Sequence, residues 1–89
     1  MTSSDVHRKR LLYISHHRGM REMDLILGNF ARASVPVMTP DALLHFEQLL
    51  AFSDQELYGW LFEDKRVSNP HLQKLVEDIL EHNRLSSPT

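Results

Sequence analysis

The sequence predicts an all-α protein, a single compact bundle of about five short helices. Three observations carry that expectation. Apolar and polar residues never alternate for long, and no Asn-Gly or Asp-Gly hairpin turn occurs. Apolar residues instead recur three and four positions apart. Helix-start chemistry also appears three times, at Thr39-Pro40, at Ser53 with Glu56, and at Asn69-Pro70.

The first expected helix covers residues 5 to 16. Asp5 or Ser4 would cap it, Val6, Leu12 and Tyr13 would form its apolar stripe, and Arg8, Lys9 and Arg10 would lie in solvent. The second begins after Gly19. Met20, Met23, Leu27 and Phe30 step by three, four and three, with Ile26 and Ala33 widening the stripe. The segment from Ala33 to Met38 ends it, because the residue before Pro36 avoids helical geometry. Thr39 then caps a helix with Pro40 in its first turn and Leu43, Phe46 and Leu50 facing inward. Ser53 and Glu56 form a capping box, flanked by Phe52 and Leu57 at the positions of a hydrophobic staple. Asn69-Pro70 opens the last helix, whose stripe is Leu72, Leu75, Val76, Ile79 and Leu80. One helical domain is expected over 1–89, with an ordered core at about 5–83 and a polar tail at 84–89 that frays.

At 89 residues the chain is one domain's length. Hydrophobic residues make up 42% and charged residues 25%, which excludes a disordered chain. The absence of cysteine excludes disulfides, a thiol nucleophile and a cysteine zinc site. No apolar run approaches the roughly 20 residues of a membrane span, and no apolar stretch of signal-peptide type follows the basic start. The reading is a cytoplasmic protein with no membrane span. A net charge of −2 gives no general attraction to nucleic acid.

Chemistry of the catalytic kind finds no foothold. The six histidines include no His-x-x-x-His pair and no Glu-x-x-His, so no metal site is expected. The serines lie in caps, termini and loops, and the three glycines are too scattered for a phosphate loop. The basic residues Arg8, Lys9, Arg10, Arg18, Arg21 and Arg32 gather in the first third. They make a small helical nucleic-acid-binding module the alternative function, although Glu22 and Asp24 interrupt the patch.

The stretch His16-His17-Arg18-Gly19-Met20-Arg21-Glu22-Met23-Asp24 asks for a different explanation. Helical spacing would pair Arg18 with Glu22 and Arg21 with Asp24, and Gly28 would continue this charged side. Surface ion pairs would account for the charges but not for a mid-helix glycine, which costs about 1 kcal/mol relative to alanine. Glycine at a helix start lets another surface approach closely, and an adjacent arginine offers it paired hydrogen bonds. The expected site is thus a docking surface. In Glu56-Leu57-Tyr58-Gly59-Trp60-Leu61-Phe62, the Leu57–Trp60–Leu61 spacing reads first as core, with Tyr58 and Phe62 partly exposed.

Arg18, Gly19, Glu22 and Asp24 match the Arg-Gly-x-x-Glu motif, with its following Asp, of the small succinate dehydrogenase assembly factors. Glu56-Leu57-Tyr58-Gly59-Trp60-Leu61 loosely matches that family's second feature, an acidic-x-Leu-aromatic-x-Trp-Leu segment. The chain resembles the family over roughly residues 7 to 83; many members carry a further arginine where this chain has His17. The resemblance implies a non-catalytic bacterial chaperone that binds the flavoprotein subunit of succinate dehydrogenase, or of fumarate reductase. It would promote covalent attachment of FAD to a histidine of that subunit. The FAD would belong to the client, and no cofactor would be bound stably by the factor. Arg18 and Gly19 are expected at the contact centre, with Glu22 holding Arg18 or bonding the partner, Arg21 beside them and Asp24 behind. Secondary contacts are expected at His17, Gly28, Tyr58 and Trp60.

Overall fold

The structure, a computed structural model, describes residues 3–86. Five α-helices follow one another: α1 (Ser3–His16), α2 (Arg21–Ser34), α3 (Pro40–Leu50), α4 (Asp54–Phe62) and α5 (Pro70–Ser86), with one 3-10 turn, Val35–Val37, between α2 and α3. No strand occurs among the described residues. The Cα radius of gyration is 12.4 Å, close to the value of about 12 Å that a folded chain of this length should have. α1 packs on α2 and α3, and α5 closes the other side against α2, α3 and α4.

The helix starts obey local chemistry. Thr39 Oγ1 accepts the Ala42 N–H at 3.2 Å. Ser53 Oγ accepts the Glu56 N–H at 3.2 Å while Glu56 Oε2 accepts the Ser53 N–H at 3.3 Å, completing the capping box. Asn69 Oδ1 accepts the His71 N–H at 2.9 Å at the start of α5. That helix runs on through Ser86, while 87–89, part of the tail expected to fray, lie outside the described residues.

The core is continuous across the bundle. Met23, Leu27, Phe30 and Ala31 of α2 meet Leu43, Phe46 and Leu49 of α3 and Leu72, Val76 and Ile79 of α5. Phe30 stands edge-on to Phe46, with ring centres 5.7 Å apart. Two helix faces differ from expectation in detail: Ala31 rather than Ala33 widens the α2 stripe, and Leu80 is 37% exposed.

α1 departs furthest. Val6 and Tyr13 are exposed, and Leu11 is the fully buried residue, with Leu12 and Ile14 packed beside it. The helix is already under way at Ser3, so Asp5 sits in its first turn. Its inward face is partly polar. Ser15 is buried and donates its hydroxyl to the Leu11 carbonyl at 2.7 Å. Arg8, expected in solvent, donates to the Val35 carbonyl at 3.3 Å and to the Met38 carbonyl at 2.9 Å. These carbonyls sit in the turn between α2 and α3, where the Val35 carbonyl also accepts the Met38 N–H at 3.3 Å.

Candidate functional site

The α1–α2 connection contains only His17, Arg18, Gly19 and Met20. Gly19 has φ +96°, a conformation that L side chains rarely adopt, and a Cβ built there would meet nothing within 4 Å. The glycine is therefore needed first by its own turn. The turn in turn leaves bare backbone facing open space at the mouth of α2. Met20 precedes the helix in extended geometry without a side-chain cap.

The turn is tied on both sides. Asp24, one turn into α2, reaches back so that its Oδ1 accepts the Arg18 N–H at 2.8 Å. The Arg18 guanidinium runs the other way. Its Nε donates to Asp54 Oδ1 at 2.8 Å, Nη1 to the Leu50 carbonyl at 2.6 Å and Nη2 to the Phe52 carbonyl at 2.8 Å. The Arg18 side chain is only 12% exposed. It spans the α3–α4 turn and satisfies carbonyls that α3 leaves free at its end.

This changes the reading of the charges. Arg18 does not pair with Glu22, because it lies before the helix begins and its carboxylate partner is Asp54, thirty-six residues on. Arg21 does not pair with Asp24, whose carboxylate is engaged by the Arg18 backbone. Arg21 and Glu22 are exposed in the first turn of α2, with no hydrogen-bond or ion-pair partner among the described residues.

Gly28 is a second correction. It is buried, and a Cβ there would come within 2.6 Å of His16 Cδ2. The space expected for a partner is filled by the chain's own imidazole. His16 is held over the glycine by Nδ1 at 2.8 Å from the Leu12 carbonyl and Nε2 at 3.2 Å from Arg32 Nη2. His17, by contrast, is exposed and stacks on Tyr13 with ring centres 4.1 Å apart.

Met20 links the turn to α4. With Asp54, Gln55, Tyr58 and Glu63 it lines an open hollow of about 420 Å³. Tyr58 and Phe62 are 38% and 36% exposed and lean together on α4, ring centres 4.8 Å apart. Trp60 is half-buried against Phe52 in an edge-on contact at 4.9 Å. Met20, next to Gly19, thus joins the turn to the Tyr58 hollow, whose lining includes Asp54, the carboxylate that Arg18 meets. Asp54 is the residue sequence reasoning missed. Its only local signal was a carboxylate following a serine cap, which helix starts commonly show for their own reasons.

The remaining basic residues do not assemble a free cationic face. Arg8 grips carbonyls, Arg10 lies 3.2 Å from Glu47 and Arg32 faces His16. The nucleic-acid alternative gains no support from this arrangement. No group of three or more His, Asp or Glu able to hold a metal occurs among the described residues. No helix of the described residues is long and apolar enough to cross a membrane.

Comparison with known proteins gives a consistent result. The sequence model of the family described as "Flavinator of succinate dehydrogenase" matches residues 9–83. The chain is 38% identical over 77 residues to the FAD assembly factor SdhE of Acetobacter pasteurianus, covering 80% of this chain and 69% of that protein. It is 31% identical over 70 residues to the FAD assembly factor SdhE of Pseudomonas putida, covering 79% and 83%. It is also 36% identical over 66 residues to a mitochondrial succinate dehydrogenase assembly factor 2 of Komagataella phaffii, of whose length it spans only 35%. No solved structure matches.

Proposed function

This chain belongs to the succinate dehydrogenase flavinator family, and on that premise we propose that it binds the flavoprotein subunit of succinate dehydrogenase and promotes covalent attachment of FAD to it. The observation that carries the reading is the tethered turn at Gly19. Bare backbone stands in open space there, and the charged side chains of Arg21 and Glu22 follow it with no partner among the described residues. A surface of this kind suits close docking of another protein, because the glycine admits its backbone and the two charges supply orientation.

The factor works as a binding chaperone. It holds the flavoprotein in a competent arrangement and leaves the bond-forming chemistry to flavin and flavoprotein. Gly19, Arg21 and Glu22 form the contact, Tyr58 and Met20 extend it on the α4 side, and His17 lies at its edge. The setting is the bacterial cytoplasm, and the flavoprotein of fumarate reductase is a second client of the same surface.

The test is covalent flavin fluorescence of the flavoprotein bands in a denaturing gel, from a strain lacking the gene. Fluorescence lost on deletion, regained with the wild-type gene and reduced with Glu22→Ala is the expected pattern. Undiminished fluorescence in the deletion strain would remove both clients.

A further inference from the structure

We infer that Asp54, which lies outside the Arg-Gly-x-x-Glu motif, is a positioning residue for it: acting through Arg18, it sets the conformation in which Gly19, Arg21 and Glu22 are presented. The inference rests on the reading of that turn as the flavoprotein-binding surface. It also changes the part given to Arg18, from a group that reaches the partner to a strut beneath the contact.

The geometry argues for the strut. A guanidinium has five N–H donors, and here Nε, Nη1 and Nη2 each send one inward. All three bonds are 2.8 Å or shorter, as charge-assisted bonds are. One N–H on each Nη remains, but a guanidinium held by a carboxylate and two carbonyls and only 12% exposed cannot swing outward to a partner without giving up those bonds together. The carbonyls alone do not fix the plane of the fork, since either could accept from several directions. The Asp54 carboxylate at Nε supplies the third point that does.

The same residue is held at its backbone by Asp24. Arg18 is therefore pinned by α2 through its amide and by the start of α4 through its side chain. The next residue is Gly19 at φ +96°. A turn whose central residue is the most permissive in the chain takes its shape from its anchors. Asp54 is the anchor that lies farthest away in sequence. An exposed ion pair would contribute little, but this one is mostly covered on the arginine side, where the exposure is 12% against 44% for Asp54.

The test has two arms on the full chain. In the free protein, Asp54→Ala should raise hydrogen exchange at the Arg18 amide, which Asp24 Oδ1 accepts, by about tenfold while the α5 core amides keep their protection. Glu56→Ala, which breaks the capping box at the same helix end without touching Arg18, should leave that amide unchanged. Exchange that does not respond to Asp54→Ala, or that responds equally to Glu56→Ala, would overturn the strut.

In the second arm, affinity for the purified succinate dehydrogenase flavoprotein subunit is measured for Arg18→Ala, Asp54→Ala and the double variant. A strut gives losses that do not multiply: each single variant weakens binding by about tenfold, and the double is little worse than Arg18→Ala alone. Multiplying losses, or wild-type affinity in Asp54→Ala, would mean that Arg18 meets the partner directly. A wild-type chain that fails to bind this subunit would remove the client, and the exchange arm would then decide the strut by itself.

Discussion

Gly19 and Gly28 are both demanded by the fold, for opposite reasons. Gly19 has room for a side chain but not the backbone for one. Gly19→Ala should therefore lower stability by about 1–2 kcal/mol, the cost of left-handed backbone for an L residue, and Gly19→Asn by less. Urea unfolding followed by circular dichroism measures both. Gly28 has ordinary helical backbone but no room, because His16 lies on it. Alanine there gains up to about 1 kcal/mol of helix propensity and meets an overpacking cost of about 1–3 kcal/mol, so Gly28→Ala should destabilise. In a His16→Ala background the collision disappears and the same substitution should stabilise. A cycle of the four proteins by thermal melting checks the change of sign. Sequence reasoning noticed that Gly28 was out of place in a helix, yet sent the close approach to a foreign surface. The imidazole that makes it sits twelve residues earlier on another helix, and no spacing rule connects the two.

At the level of the helix, legibility follows the range of the interaction. The caps at Thr39, Ser53 and Asn69 were readable because donor and acceptor lie within three residues of each other. Ser53→Ala should cost about 1 kcal/mol in equilibrium unfolding, within the usual 0.5–2 for a lost cap. The inward stripes of α3 and α5 were readable because apolar periodicity is also local. The α1 face was not. It turns Arg8 and Ser15 inward, and each is satisfied by a carbonyl, so polarity ceases to mark the solvent side. Much the same holds for the candidate site. The motif singled out a turn in which Gly19 is exposed and Arg21 and Glu22 have no partner among the described residues, while Arg18 and Asp24 are engaged with the chain itself. Which carboxylate an arginine meets is decided by how α4 is laid beside the α1–α2 turn, and that arrangement belongs to no local window.

The whole molecule is small enough that single core residues matter greatly. Domains of this size are stable by about 5–10 kcal/mol, and Phe46 is fully buried where α2 and α3 meet. Phe46→Ala, with an expected loss of about 3–5 kcal/mol, should bring the denaturation midpoint down by roughly a third or more. One arrangement at this scale reaches beyond stability. Arg8 grips the carbonyls of Val35 and Met38 just before α3, and Arg18 grips those of Leu50 at its end and Phe52 just beyond it. α1 together with the turn that follows it thus works as a gauge for the length of α3. One residue added inside α3 would advance its far end by about 1.5 Å and turn it by about 100°, carrying Leu50 away from the second grip while the first still held. Lengthening of the chain is accordingly barred between the two arginine grips and admitted in the exposed stretch 63–66. A glycine inserted after Leu44 should cost far more stability than one inserted after Asp64, although both sites add a single residue to the same protein.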